Sequence, residues 1–300
     1  MVNVMYHYVR KKNNIYPHFK YLDIETFKRQ LDFFEINYGF VSKDEYKEAI
    51  KYGRNPQGVV LTFDDGFKDH INFVLPELLK RNLWGLFYVS TGVYNAKRLL
   101  DVHRVHHLIG KYGATDILDD VVKKISFGML DEALIDEFDK EIYIEDHYLD
   151  DERQVKRLLN YYLNYEFRQI ILDDLMSKYF NELELYQNFY VSKRDIKTLV
   201  DTGNIVGSHT VSHRVLSRLS YQEQYQEIAD SFYFIEGIVK QNYRSFCYPY
   251  GHQSSYNAET LKVLESLNVN DACIFDNSFQ DCLPKKYELS RIDCNKFLEV

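Results

Sequence analysis

Asp64 and Asp65 close a short apolar run (Val59, Val60, Leu61, Phe63), and Gly66 follows them directly. The run lacks helical spacing and reads as an interior strand. In a strand body, neighbours point to opposite faces, so one of the two acids would enter the core at a heavy desolvation cost. Gly66 permits a sharp turn straight after the pair, which sets both at the strand's mouth. There one carboxylate can hold a cation while the other moves a proton. The same tripeptide also serves as a plain solvated turn. Farther along, His209-Thr210-Val211-Ser212-His213 sets two imidazoles four residues apart. On a helical turn they would share one face and grip one divalent ion, although alone they read equally as surface histidines. Joined to a strand-end carboxylate, they make a two-histidine, one-carboxylate set with positions left for water. A Zn2+-like ion there would lower the pKa of its water to about 7 and polarise a carbonyl.

The elements that must position these groups are legible along the chain. Val2 to Tyr6 reads as a first strand ending at His7, and Ile24 to Tyr38 as a helix with Phe27, Leu31, Phe34 and Ile36 close to one face. Ser42-Lys43-Asp44-Glu45 is a capping box opening a helix through Ile50. His70 to Arg81 reads as a helix in which Pro76 either makes a kink or marks the first turn. Leu86 to Val89 is the next strand. From Asn95 to about Tyr190 there is no Pro and the apolar spacing is helical, so 95–190 reads as a helical insertion within a single 1–300 domain. The strand–helix rhythm then resumes. Ser192 caps a helix to Asp201, Gly203 ends it, and Asn204 to Gly207 is a strand delivering Ser208 and His209. Ser220 caps an amphipathic helix, Phe246 to Tyr248 is a strand ending at Pro249-Tyr250-Gly251, and Asn257 to Leu267 is a helix. Ala272 to Phe275 and Leu289 to Ile292 are the last strands. This alternation predicts an α/β parallel sheet or barrel with its chemistry at the strands' carboxyl ends.

Composition narrows the partners. The 300 residues are 45% hydrophobic and 27% charged, enough for a real core, and hold 26 Tyr and 20 Phe against one Trp. Tyr suits sugar binding and plain packing alike. A net charge of −8 argues against nucleic acid or an anionic membrane as partner. Asp116 to Glu152 carries 14 acidic against three basic residues, a net of −11, which leaves +3 for the rest and suits an anionic small substrate. Cys247, Cys273, Cys282 and Cys294 show no paired spacing and read as reduced thiols. No targeting segment precedes the first strand and no stretch approaches the roughly 18 apolar residues of a membrane span, so the expected compartment is the cytoplasm.

Thr62-Phe63-Asp64-Asp65-Gly66 followed by Ser208-His209-Thr210-Val211-Ser212-His213 resembles the polysaccharide deacetylase family, with its NodB homology and carbohydrate esterase family 4 chemistry. The resemblance covers both motifs and the strand–helix frame but not the insertion. It implies a distorted (β/α) barrel and metal-dependent removal of an N- or O-acetyl group from a sugar. By that resemblance Asp64 is the general base, and Asp65, His209 and His213 hold the metal: Zn2+ first, with Co2+, Ni2+ or Mn2+ as substitutes. The implied partner is an acetylated sugar, nucleotide-linked, lipid-linked or an oligosaccharide, of the kind used in making surface polysaccharides. The family's third motif is partly kept: Cys247-Tyr248-Pro249-Tyr250-Gly251 has Cys247 where the base-orienting Arg belongs, and Tyr250 matches the residue whose backbone N–H faces the oxyanion. Arg291 is the candidate replacement for the missing guanidinium, or else an ordinary surface Arg. Met5-Tyr6-His7 has the form of the family's C-terminal Leu-x-His motif moved to the front, as in rearranged members, which makes His7 the general acid. Leu100 to His107 also resembles a stretch in deacetylase-like proteins of surface-polysaccharide gene clusters. There His103 and His107 share a helical face and would either line the sugar pocket or bridge helices.

Overall fold

The computed structural model describes residues 1–12, 14–131, 135, 149–276 and 285–298. Cys282 and most of the acidic run after Asp131 lie outside these residues. The chain divides into two compact units. The first holds Met1–Lys11, Tyr21–Asn95 and Phe189–Val300; the second holds Lys12–Lys20 and Ala96–Asn188.

The first unit is built on seven strands: β1 (Val2–Tyr6), β2 (Val59–Phe63), β3 (Gly85–Val89), β4 (Ile205–Ser208), β5 (Ser245–Cys247), β6 (Asp271–Cys273) and β7 (Arg291–Asp293). They pair side by side in the order β6-β5-β4-β3-β2-β1-β7, every pair parallel. The outer strands then reach toward each other. Leu289, just before β7, donates to the Ala272 carbonyl at 2.9 Å and accepts from the Ile274 amide at 3.0 Å. The Asp276 amide bonds the Arg291 carbonyl at 3.3 Å. The result is the nearly closed (β/α) barrel expected from the strand–helix alternation.

Side-chain parity along each strand separates inside from outside. Leu61, Phe63, Phe87 and Val89 join an apolar cluster with Phe27, Leu31 and Phe34 of helix α1 (Ile24–Asn37) and Leu75 and Leu78 of helix α3 (Leu75–Lys80). Val60, Leu86, Tyr88, Cys247 and Cys273 form a second cluster on the opposite face. Thr62 and Asp64 therefore continue the Val60 face. The capping boxes fall where the sequence places them: Ser42–Glu45 opens α2 (Lys43–Tyr52), Ser192–Asp195 opens α4 (Lys193–Asp201), and Ser220–Glu223 opens α5 (Tyr221–Glu236). Asn257 caps α6 (Ala258–Ser266). Several boundaries shift by one or two residues, because strand ends are set by ladder bonds and not by apolarity alone. The predicted His70–Arg81 helix is in two pieces: a π-helical turn, His70–Val74, and then α3 with Pro76 in its first turn, where the missing N–H costs nothing.

In the second unit, Arg104 anchors the helix Asp101–Tyr112. It is 1% exposed, with Glu182 at 2.7 and 2.8 Å and Asp173 at 2.8 Å. No helix among the described residues is long and apolar enough to cross a membrane.

Gly207 of β4 shows how tightly the sheet interior is filled. A Cβ there would lie 2.6 Å from the Tyr88 ring and 2.6 Å from the Ser245 carbonyl. Gly207→Ala is expected to cost about 1–3 kcal/mol through overpacking, read as a lowered midpoint in urea denaturation.

Candidate active site

The site gathers at the carboxyl ends of β1, β2, β4 and β5, joined by Arg291, the first residue of β7. After Phe63 the backbone leaves the ladder: Asp65 and Gly66 both take left-handed conformations, φ 72° and 66°. That turn sends Asp64 into the barrel mouth and Asp65 beside it, both buried. The Asp64 amide donates to the Tyr6 carbonyl at 2.9 Å, tying the turn to β1 one residue before His7.

Asp64 meets Arg291 directly. Nη1 of Arg291 lies 2.6 Å from Asp64 Oδ1 and 3.3 Å from Thr62 Oγ1, and Nη2 lies 3.0 Å from Cys247 Sγ. Arg291 is 1% exposed, so it is no surface arginine. Burial pushes the Asp64 carboxyl up, but Arg291, then His209 and His7, outweigh it and hold it below the usual carboxylate range. With Oδ1 taken, Oδ2 is the oxygen that faces the mouth. It lies 3.8 Å from His7 Nε2 and 3.5 Å from the Cys247 thiol, which burial keeps protonated. The His7 side chain is 41% exposed.

His209 and His213 come together by a route the sequence did not foretell. Residues 209–213 are not a helical turn; Thr210 and His213 are left-handed, φ 64° and 58°, and the chain folds back on itself. The two rings then pack edge to face, centroids 4.8 Å apart. Glu227 of α5 staples the loop: its carboxylate accepts from the amides of Val211 and Ser212 at 3.0 and 2.7 Å and from the Ser212 hydroxyl. The Thr210 hydroxyl accepts from the His213 amide at 3.0 Å.

Asp65 Oδ1 stands 3.5 Å from His209 Nε2 and 3.4 Å from His213 Nε2. His209 Nδ1 is 2.7 Å from the Cys247 carbonyl, so that nitrogen carries the hydrogen. Burial lowers the His209 pKa against the pull of Asp64 and Asp65, which leaves Nε2 as a lone pair aimed toward a carboxylate. Two acceptors face each other across a gap that suits a cation. Ligands about 2.0–2.2 Å from one ion sit about 3–3.5 Å from each other, so the donor set fits a divalent metal. A second cluster, Asp64, His209 and Cys247, also has ligand types. The Arg291 guanidinium already bridges its Asp64 and Cys247, which makes Asp65, His209 and His213 the better set.

Residues 172–272 match the family model described as polysaccharide deacetylase, a stretch that includes both histidines and the Pro249-Tyr250-Gly251 turn. Over that third of its length the chain is similar to the polysaccharide deacetylase family. A 76-residue stretch is 33% identical to YxkH of Bacillus subtilis (strain 168), a protein that bears the polysaccharide deacetylase name. The chain spans about a quarter of the length of that curated relative: the match covers 25% of this chain and 26% of YxkH. Among solved structures, the Streptococcus pyogenes deacetylase PplD in complex with acetate aligns with TM-score 0.61 and 18% identity, over 98% of this chain and 91% of that one. IcaB from Ammonifex degensii aligns at 0.56 and 16%, over 97% and 90%. A de-N-acetylase from Aggregatibacter actinomycetemcomitans aligns at 0.55 and 13%, over 100% and 95%. At these identities the likeness is one of fold.

Seven of the nine site residues named from the sequence lie in the barrel unit: His7, Asp64, Asp65, His209, His213, Tyr250 and Arg291. Tyr250 is left-handed, φ 65°, with its ring edge-on to His213 at 5.0 Å. His103 and His107 belong to the second unit, both buried; the His107 ring packs against Tyr16, Phe19 and Phe180. Two supporting residues escaped the sequence reading. One is Glu227, which looks like any helix-surface acid until the loop bends over it. The other is His70, whose Nε2–H donates to the His7 carbonyl at 2.9 Å. Burial among Phe63, Phe67 and Phe87 lowers its pKa to about 4 and keeps it neutral. A histidine inside the helix after Asp-Asp-Gly was the available signal.

Arg291→Met should remove the counter-charge and strand a buried carboxylate, costing about 3–5 kcal/mol at pH 7. Wild-type Asp64, with its pKa depressed, stabilises the fold above the unfolded carboxylate pKa and loses that contribution as pH falls. In the variant, burial without Arg291 would raise the Asp64 pKa, so protonation on acidification relieves the defect. The gap in urea denaturation between the two proteins should therefore narrow toward pH 4. Glu227→Ala should loosen the 209–213 loop and weaken Zn2+ binding by about 10–100-fold in a chelator competition.

Proposed function

We propose that this protein is a metal-dependent deacetylase that hydrolyses the N-acetyl group of an amino sugar in a surface polysaccharide or its precursor. The observation that carries the reading is the convergence of Asp65, His209 and His213 within 3.5 Å of one carboxylate oxygen, beside an Asp64 that Arg291 keeps ionised. The family-model match over residues 172–272 supports the reaction class, and the acetate bound in the PplD structure is the product that reaction would release.

Asp65, His209 and His213 would hold the ion, Zn2+ by their ligand types. Bound there, a divalent cation supplies Lewis acidity to a carbonyl and to a water. The chain's own groups do the proton work. Asp64 Oδ2 takes the proton of the attacking water, since Oδ1 is engaged by Arg291. The Tyr250 backbone N–H donates to the oxyanion as the carbonyl carbon becomes tetrahedral. His7, half-exposed at the mouth, gives a proton to the amine nitrogen as the C–N bond breaks. Acetate and the free amino sugar depart. Arg291 does for Asp64 what the arginine of the third motif does in the resembling proteins, so Cys247 at that position does not argue for an inactive member.

The test is acetate release from a panel of UDP-linked, lipid-linked and oligomeric N-acetyl sugars, with chitin oligomers and acetyl-xylan as the competing classes. Asp64→Asn is expected to lower turnover at least about 100-fold, with metal content unchanged. Asp65→Asn should lose metal and turnover together. Full activity in Asp64→Asn would refute the base assignment, and no acetate from any sugar would refute the deacetylase.

A further inference from the structure

We propose that the barrel unit carries a second site, at the end opposite the carboxylates, that binds a multiply charged phosphate group through Lys43, Lys47, Lys51, Lys240 and Lys286. Two adjoining crevices of about 230 and 490 Å³ open there and share Lys47, Asn242 and Tyr243. Their walls include Asn204, Tyr243 and Asn270, residues that lead into β4, β5 and β6. The carboxyl ends of β4 and β5 carry part of the candidate active site, so the two sites lie at opposite ends of one parallel barrel.

The lysines are gathered by the fold. Lys43, Lys47 and Lys51 repeat every four residues along one face of α2. Lys240 comes from the turn after α5, and Lys286 from the segment before β7. The crevice walls contain no Asp or Glu. Among the described residues, none of the five forms an ion pair with a carboxylate within 4.0 Å, although the charge of Lys286 acts on the buried Asp271. Lys43 donates to the Gly203 carbonyl at 2.9 Å and Lys286 to the Tyr287 hydroxyl at 2.9 Å. The Lys47 and Lys51 ammoniums lie over the rings of Tyr243 and Tyr52 at 5.2 and 5.0 Å. Asp271 is buried behind this wall, its oxygens taken by Ser245 and Tyr243 at 2.5 and 2.6 Å. Asp44 and Glu48 of α2 are exposed and unpaired with these lysines.

Five positive charges around one concavity, of which only Lys286 acts on a buried carboxylate, repel each other in a chain whose net charge is −8. An anion with several charges relieves that repulsion; a single carboxylate would meet one or two of them. Lysine heads are compact point charges that can each meet a phosphate oxygen without a fixed fork geometry. A diphosphoryl group therefore matches both the charge and the donor type.

This inference does not depend on the deacetylase reading, and its test does not use that activity. The experiment is calorimetric titration of the full chain, stripped of divalent metal, with inorganic pyrophosphate and with orthophosphate. It is repeated on the Lys47→Gln/Lys51→Gln/Lys286→Gln variant, whose melting temperature is checked against wild type. Pyrophosphate is expected to bind more tightly than orthophosphate, to weaken as salt rises, and to lose at least about tenfold in affinity in the variant. Absence of binding, equal affinity for the two anions, or an unchanged affinity in a folded variant would overturn the site. Binding to phosphatidylglycerol vesicles without binding to pyrophosphate would overturn it as well.

Discussion

Asp64 cannot stand where it does without Arg291. A carboxylate 2% exposed at the mouth of a packed barrel pays a desolvation cost that only a close counter-charge offsets, and the guanidinium 2.6 Å away supplies it. The supplier sits on β7, the last strand, and the acid follows β2, so the pair forms only when β7 docks beside β1. The same strand segment bonds to β6 through Leu289 and Arg291. Closing the barrel and charging its active carboxylate are thus one event. Thr62 and Cys247 complete the shell by meeting the remaining guanidinium nitrogens, at 3.3 and 3.0 Å.

Around that pair the site is built from backbone turns that ordinary strands and helices cannot make. Asp65, Thr210, His213 and Tyr250 all have positive φ, each costly for a residue with a Cβ, and all four lie at the barrel mouth. Such strain persists only where neighbours over-determine it. Glu227 holds two amides of the histidine loop, and Ser90 bonds the His209 carbonyl at 2.8 Å. The Cys247 carbonyl fixes the His209 tautomer at 2.7 Å. Cys247 therefore meets the site twice, through its backbone carbonyl at His209 and through its thiol at Asp64 and Arg291.

The barrel's two ends divide the chemistry. The carboxyl ends gather acids and imidazoles around a gap that fits a cation, while lysines cluster over the amino ends of β4, β5 and β6. A parallel barrel makes this division natural, because every strand delivers its leading and trailing loops to opposite rims. The net charge alone conceals it.

Much of this was legible in the sequence, for physical reasons. Apolar periodicity and capping boxes are local, so the strand–helix order and most helix starts could be read from neighbours a few residues apart. The Asp64-Asp65-Gly66 and His209–His213 motifs were readable because their residue types are costly to bury without a purpose. What the sequence could not decide was anything set by contacts between distant segments. Arg291 was a candidate with a surface alternative until β7 brought it to Asp64, 227 residues away in the chain. The His209–His213 geometry was misjudged as helical because left-handed residues leave no periodic trace, and only packing against Glu227 and β3 dictates them. Glu227 was invisible for the same reason: the amides and the Ser212 hydroxyl it holds are brought to it only by tertiary folding.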